Sequence, residues 1–181
     1  PICKVQAEGL ENEVFARIHT FGKALGSQGA VITGSTTLKE YLVNFAKPLI
    51  YTTAMPPLIL ACINKAYDIF PQMQDERKQI LSFSQYLEAR LKAMDLEVIS
   101  GNGPIKSVIV PGNDAVKSLA NTCQNAGYDL RPILAPTVPK GKERLRICLH
   151  AYNTWEEVKG LLAVIKEHFG NEIRRNKVKT L

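Results

Sequence analysis

Four short segments hold the residues best able to do chemistry. The first is "HTFGKALGSQGA", His19–Ala30, where Lys23 stands among glycines and small or apolar residues without a charged neighbour for several positions on either side. A lysine flanked by glycines is most often a solvated loop residue. Held in a confined, partly apolar site, it would be a nucleophile toward carbonyls, because desolvation favours the neutral amine. The second is Thr20, three residues before it at the end of a predicted strand, where a hydroxyl beside glycine N–H groups suits a phosphate. The third is the pair Thr52 and Thr53, hydroxyls on a stiff stretch before Pro56 and Pro57. The fourth is "PTVPKGKERLRICLH", where Arg144 and Arg146 fall on one face of a predicted strand after a proline-bounded loop. A guanidinium fork there can bind a carboxylate through two parallel hydrogen bonds.

Each segment also has an ordinary reading as a strand, turn or exposed strand face. Taken together they supply an amine nucleophile, phosphate ligands and a carboxylate clamp. Those are three parts of a pyridoxal-phosphate site that acts on an amino acid.

The elements that must position these residues follow from pattern. "VFARIHTF", Val14–Phe21, and "GAVITGS", Gly29–Ser35, read as strands, so Lys23 lies on the turn that joins them. "STTLKEYLVNFAKP" reads as a helix capped by Ser35 or Thr36 and ended by Pro48. "LIYTTAMPP", Leu49–Pro57, reads as extended. "LILACINKAYDIF" is a helix apolar nearly all round, as expected of a buried or subunit-interface helix. "DERKQILSFSQYLEARLKAMD" is long and amphipathic.

From about Asp95 the pattern becomes strand, helix, strand, strand, helix. Asn113 or Asp114 stands near the start of the first of these helices and Gly127 at its end. Asn153 or Thr154 caps the last helix, Glu156 and Glu157 lie in its first turn, and Gly170 is expected to follow its end. The fold class is α/β, with a soft boundary near Asp95.

Composition narrows the function classes. The chain has 181 residues, 45% hydrophobic and 22% charged, which is ordinary for a globular protein. The net charge of +6 owes much to "RRNKVKT", Arg174–Thr180, and no basic stripe with interleaved aromatics accompanies it, so no nucleic-acid partner is expected. Cys3, Cys62, Cys123 and Cys148 are far apart and the three histidines are dispersed, so reduced thiols, a cytoplasmic location and no metal site are expected. No apolar run reaches the length of a membrane span, and neither a membrane span nor a signal peptide is expected.

The segment "TFGKALGSQGA" resembles the Schiff-base lysine segment of the α-oxoamine synthases, pyridoxal-phosphate enzymes of the aspartate-aminotransferase fold (fold type I). The resemblance continues through "LIYTTAMPP" and "APTVPKGKERLRICLHAYNT" in the same order. It implies the C-terminal part of that fold: residues 1–55 as the end of the large, cofactor-binding domain, 56–94 as connecting and interface helices, and 95–181 as the α/β small domain.

By the same resemblance, Lys23 forms a covalent aldimine with pyridoxal 5'-phosphate and moves protons at the substrate α carbon. Thr20 holds the cofactor phosphate, and Thr52 with Thr53 reaches the phosphate in the neighbouring subunit of a homodimer. Arg146 holds a substrate or product carboxylate, and Thr137 lines the substrate pocket. Arg144 is left structural, and His19 and His150 take no role. "YTTAMPP" with "PTVPKGKERLR" leans toward the family member that condenses L-alanine with a pimeloyl thioester, with decarboxylation, in biotin formation. Relatives using glycine or serine with another acyl-CoA are the alternative, and a non-catalytic interaction module is the alternative of another class.

The family's aspartate for the pyridine nitrogen, its ring-stacking residue and its phosphate turn all lie upstream of the lysine, and only about twenty residues precede Lys23. The expectation is therefore a C-terminal portion that is inactive by itself.

Overall fold

The computed structural model of the chain describes residues 4–101 and 103–179, in two compact units, Pro1–Gln74 and Asp75–Leu181. In the first unit a short helix α1 (Lys4–Ala7) precedes an antiparallel hairpin of β1 (Ala16–Thr20) and β2 (Ala30–Gly34), with Ile18 opposite Ile32 and Thr20 opposite Ala30. Helix α2 (Thr36–Phe45) follows at once. Ser35 caps it, its hydroxyl accepting the Leu38 N–H at 3.1 Å and so satisfying one of the donors that a helix start leaves open.

Pro48 does not end α2. The helix stops at Phe45, and Ala46 leaves helical geometry with ψ 90°. Pro48 instead enters the first turn of a short helix α3 (Lys47–Ile50), where its missing N–H costs no hydrogen bond. Leu49 and Ile50 are therefore helical rather than extended, and residues 51–56 form a turn, a bend and an irregular stretch. Pro56 and Pro57 then open helix α4 (Pro57–Ile69).

Apolar burial within this unit is sparse. Among the described residues Phe21 and Ile63 are its buried hydrophobic ones, and Phe21 meets Tyr67 of α4 edge-on at 6.5 Å. Phe15, Ile18, Tyr51 and Leu58 all remain exposed.

The second unit has a substantial core. Helix α5 (Gln74–Lys92) is followed by β3 (Val98–Ile99), β4 (Ile105–Ile109), α6 (Asn113–Asn125), β5 (Arg131–Ile133), β6 (Arg144–Cys148) and α7 (Trp155–Lys179). The strands form one antiparallel sheet in the order β3-β4-β6-β5. Strand β6 alternates as a half-buried strand should: Leu145 and Ile147 point into the core and Arg144, Arg146 and Cys148 to the other face. Against Leu145, Ile147 and Val108 pack Val116, Leu119 and Cys123 of α6, Leu161 and Ile165 of α7, and Phe83, Leu87 and Leu91 of α5.

The burial of Phe83, Leu87 and Leu91 assigns α5 to this unit, so the units part at Gln74–Asp75 and not near Asp95. What the sequence marks at Asp95 is a left-handed turn, φ 57°, after α5. Helix α7 begins with a reciprocal cap. The Thr154 hydroxyl accepts the Glu157 N–H at 3.2 Å, and the Glu157 carboxylate accepts the Thr154 N–H at 2.8 Å. Gly170 does not end α7, which runs on to Lys179. A glycine inside a helix costs only about 1 kcal/mol, which a packed helix tolerates.

Candidate functional site

The β1–β2 hairpin positions Lys23 in a loop closed by its own backbone. The Phe21 N–H donates to the Gly29 carbonyl, the Ser27 N–H to the Phe21 carbonyl and the Gly26 N–H to the Lys23 carbonyl, each at 2.9 Å. Phe21, buried against Tyr67, anchors one side of the loop. Gly26 and Gly29 take φ of 59° and 87°, which L side chains seldom adopt.

Gly29 also lies under the side chain of Met55. A Cβ at Gly29 would come within 2.3 Å of the Met55 methyl. That contact brings the Thr52–Met55 stretch against the lysine loop. Lys23, Thr20, Thr52 and Thr53 are all exposed, and among the described residues no carboxylate pairs with Lys23. The loop thus presents the amine openly. The confinement considered for it from sequence is not supplied by the described residues of this unit.

Arg146 and Thr137 belong to the second unit. Arg146 is exposed on the middle of β6, directly opposite Ser107 of β4 and Arg131 of β5. Arg144 is half-buried, and its Nε donates to the Lys142 carbonyl at 3.0 Å. Thr137 is exposed in the turn after the cis Ala135–Pro136 bond. The His150 ring stacks on Tyr152, with centroids 4.9 Å apart, and His19 sits on β1 opposite Val31.

Two residues position the Thr137 loop: Asn113, which the sequence marks only as near a helix start, and Glu143, which it does not mark at all. Asn113, at the start of α6, clamps the Ala135 backbone: its Oδ1 accepts the N–H at 3.0 Å, and its Nδ2 donates to the carbonyl at 3.4 Å. Glu143, only 2% exposed, accepts the Gly112 and Gly141 N–H groups, each at 2.9 Å. Its carboxyl is held below the usual carboxylate range, first by the Gly112 N–H. In sequence Glu143 is one charge in "KGKER". The glycines that need it are distant or unremarkable, so no local signal marks it.

Two further ionisable groups, Cys123 and Lys106, are buried in the core of this unit. Burial pushes the Cys123 thiol up to about 11, which makes it an inert core residue. Lys106, on the core side of β4, is 1% exposed and pairs with Glu88 of α5 at 2.5 Å and with the Gly101 carbonyl. Among the described residues no group of three or more His, Cys, Asp or Glu side chains could hold a metal ion, and no helix is long and apolar enough to cross a membrane.

Comparison with known proteins gives a consistent picture. The family model for aminotransferase class I and II matches residues 6–165. An 8-amino-7-oxononanoate synthase of Emericella nidulans is 42% identical over 170 residues, covering 89% of this chain and 40% of that protein. The crystal structure of the 8-amino-7-oxononanoate synthase of Francisella tularensis superposes with a TM-score of 0.78 at 27% identity, covering 88% of this chain and 47% of the other. A serine palmitoyltransferase from S. paucimobilis, solved with a bound pyridoxal phosphate–myriocin aldimine, shares the fold with a TM-score of 0.82 at 20% identity, over 91% of this chain and 42% of that one. The chain spans less than half the length of each of these three proteins.

Proposed function

The chain belongs to the aminotransferase class I and II family, and from that premise we propose that it carries the lysine and carboxylate-binding parts of a pyridoxal-phosphate-dependent acyltransferase. That enzyme condenses L-alanine with a pimeloyl thioester, with loss of carbon dioxide, to 8-amino-7-oxononanoate. The observation that carries the reading is the Phe21–Gly29 loop, which offers an exposed primary amine three residues after Thr20 in a chain 42% identical to a protein of that name.

The donor set suits the cofactor. It offers an amine for the aldehyde and hydroxyls for the phosphate, with no carboxylate among the described residues competing for Lys23. When bound, pyridoxal phosphate supplies the electron sink for the substrate α carbon. The rest is the work of the chain. Lys23 Nζ takes and returns the proton at that carbon. The Thr20 hydroxyl holds phosphate, as do those of Thr52 and Thr53 from the neighbouring subunit of a homodimer. Arg146 orients the amino-acid carboxylate through parallel N–H donors, and Thr137 borders the substrate. The proposed location is the cytoplasm.

The test has two parts. Borohydride reduction of the cofactor-loaded protein, followed by peptide mapping, should place the label on Lys23 and lose it in Lys23→Ala. Product analysis with alanine, glycine and serine as competing amino acids should give the alanine product. A label elsewhere removes Lys23 from its role, and a product from glycine or serine alone rejects the alanine assignment while leaving the acyltransferase class intact.

A further inference from the structure

The sheet face turned away from the core carries a row of polar residues. Read across the strands it runs Ser107 on β4, Arg146 on β6 and Arg131 on β5, each the direct register partner of the next. Directly opposed residues of antiparallel strands have Cα atoms about 4.5–5.5 Å apart and side chains on the same face. Two guanidiniums therefore stand side by side on this face, and both are exposed.

Like charges directly opposite one another disfavour the sheet by up to about 1 kcal/mol. Only one of the two is offset within the chain. Asp129 pairs with Arg131 at 2.9 Å, and among the described residues no carboxylate pairs with Arg146. The rows on either side are largely apolar, with Ile105 opposite Cys148 on one side and Ile109, Arg144 and Ile133 on the other. A hydroxyl and two guanidiniums between largely apolar rows suit a carboxylate borne on a short aliphatic group.

We propose that Arg131 is the second cation of the carboxylate subsite centred on Arg146, and that Asp129 sets how much of its charge the ligand feels. Arg131 is a positioning residue. It strengthens the field at Arg146 and limits where the carboxylate can settle along the row. Asp129 opposes it, so the Ser107–Arg146–Arg131 row holds one net positive charge from three ionised side chains, with Arg144 a further cation on the next row of the same face. The inference rests on the reading that Arg146 takes the substrate carboxylate.

The ordinary alternative is a surface ion pair between Asp129 and Arg131 that contributes only to stability. The two accounts differ in sign. If the pair is only structural, removing either partner has the same effect. If Arg131 assists the carboxylate, removing it weakens binding and removing Asp129 strengthens it.

The experiment uses the cofactor-loaded protein and reads the dissociation constant of L-alanine from the cofactor's absorbance change, with ethylamine as the amine probe that lacks a carboxylate. Arg131→Gln is expected to weaken L-alanine binding about two- to fivefold, and Asp129→Asn to tighten it by a similar factor. Arg131→Lys should stay near the parent, and ethylamine should respond to none of the three. If Arg131→Gln and Asp129→Asn shift L-alanine in the same direction, or neither shifts it while Arg146→Gln weakens it strongly, the inference is overturned and the Arg146 reading stands. If Arg146→Gln leaves L-alanine binding unchanged, the Arg146 reading falls and takes the inference with it.

Discussion

Replacing Glu88 with glutamine should destabilise the Asp75–Leu181 unit by about 3 kcal/mol at neutral pH, and most of that penalty should vanish in acid. The Glu88 carboxyl is held down from 4.5 to about 2, first by the hydrogen bond from Lys106 and then by those from Lys92 and Ser100. A depression of that size is equivalent to about 3 kcal/mol of differential stability. Because the folded-state value is depressed, this stability is present above about pH 4.5 and is lost as the pH falls toward 2.

Geometry gives a second route to the same magnitude. Lys106 is 1% exposed, and without Glu88 its ammonium keeps the Gly101 carbonyl but no counter-ion among its described contacts. Breaking a buried pair by removing one partner typically costs about 3–5 kcal/mol. Lys106→Met should cost less, because Glu88 is 18% exposed and keeps Lys92 at 2.7 Å.

The assay is urea unfolding followed by the fluorescence of Trp155. It is the chain's single tryptophan and sits edge-on to Phe83 at 4.7 Å and Tyr86 at 5.4 Å, so it reports on this unit. The difference between parent and Glu88→Gln, taken at each pH, removes the contribution of the other carboxylates. If that difference does not shrink between pH 4.5 and 2, or if Lys106→Met costs as much as Glu88→Gln, the account of this ion pair is wrong.

Other outcomes follow from particular contacts. Gly29→Ala should loosen the lysine loop by about 1–2 kcal/mol, from its positive φ alone, read as faster hydrogen exchange at the Phe21 and Ser27 amides. Adding Met55→Ala should relieve the steric part and leave the backbone part. Glu143→Gln should lower the Trp155 unfolding midpoint and speed exchange at Gly112 and Gly141, because an amide offers one acceptor and two donors where two N–H groups converge; unchanged exchange at both glycines would show that the carboxylate does not hold them. Leu58 and Leu60 leave α4 with an exposed apolar face, so light scattering should show self-association that Leu58→Glu reduces. A concentration-independent monomer would refute this.

Elements with a local signature were legible in the sequence. The glycine loop between two β-rich runs gave the Lys23 hairpin, the period of two gave the shared face of Arg144 and Arg146, and "NTWEE" gave the cap of α7. Proline and glycine signals misled where their meaning depended on position. Pro48 starts a helical turn rather than stopping one, and Gly170 sits inside a helix whose inner face, with Leu161 and Ile165, is packed. The turn at Asp95 is a local event and shows in the sequence, whereas the division between compact units at Gln74–Asp75 does not. The packing of Phe83, Leu87 and Leu91 against the sheet is not local. Arg131 was passed over for a related reason: its neighbour on the sheet is fifteen positions away in sequence, and only the register reveals it.

The two charged side chains buried among the described residues of the second unit, Lys106 and Glu143, follow one logic that no pattern in the sequence announces. Lys106 near the start of β4 donates to the carbonyl of Gly101, while Glu143 just before β6 accepts from the N–H groups of Gly112 and Gly141. A cation meets a backbone acceptor, and an anion meets backbone donors. Loops that leave a sheet must find partners for peptide groups which the ladder no longer pairs, and a buried unpaired group is costly. Here long ionic side chains provide those partners. The segment between β5 and β6 that Glu143 anchors at Gly141 carries Thr137 and leads into the strand that bears Arg146. Neutral variants at Glu88 or Glu143 should therefore disturb carboxylate binding only as far as they loosen the sheet ends, whereas neutral variants at Arg131 or Asp129 should alter it with a change in stability of no more than about 1 kcal/mol. Losing about 3 kcal/mol of stability in an Arg131 or Asp129 variant, as expected for Glu88→Gln, would show that the binding row and the loop anchors are not separable.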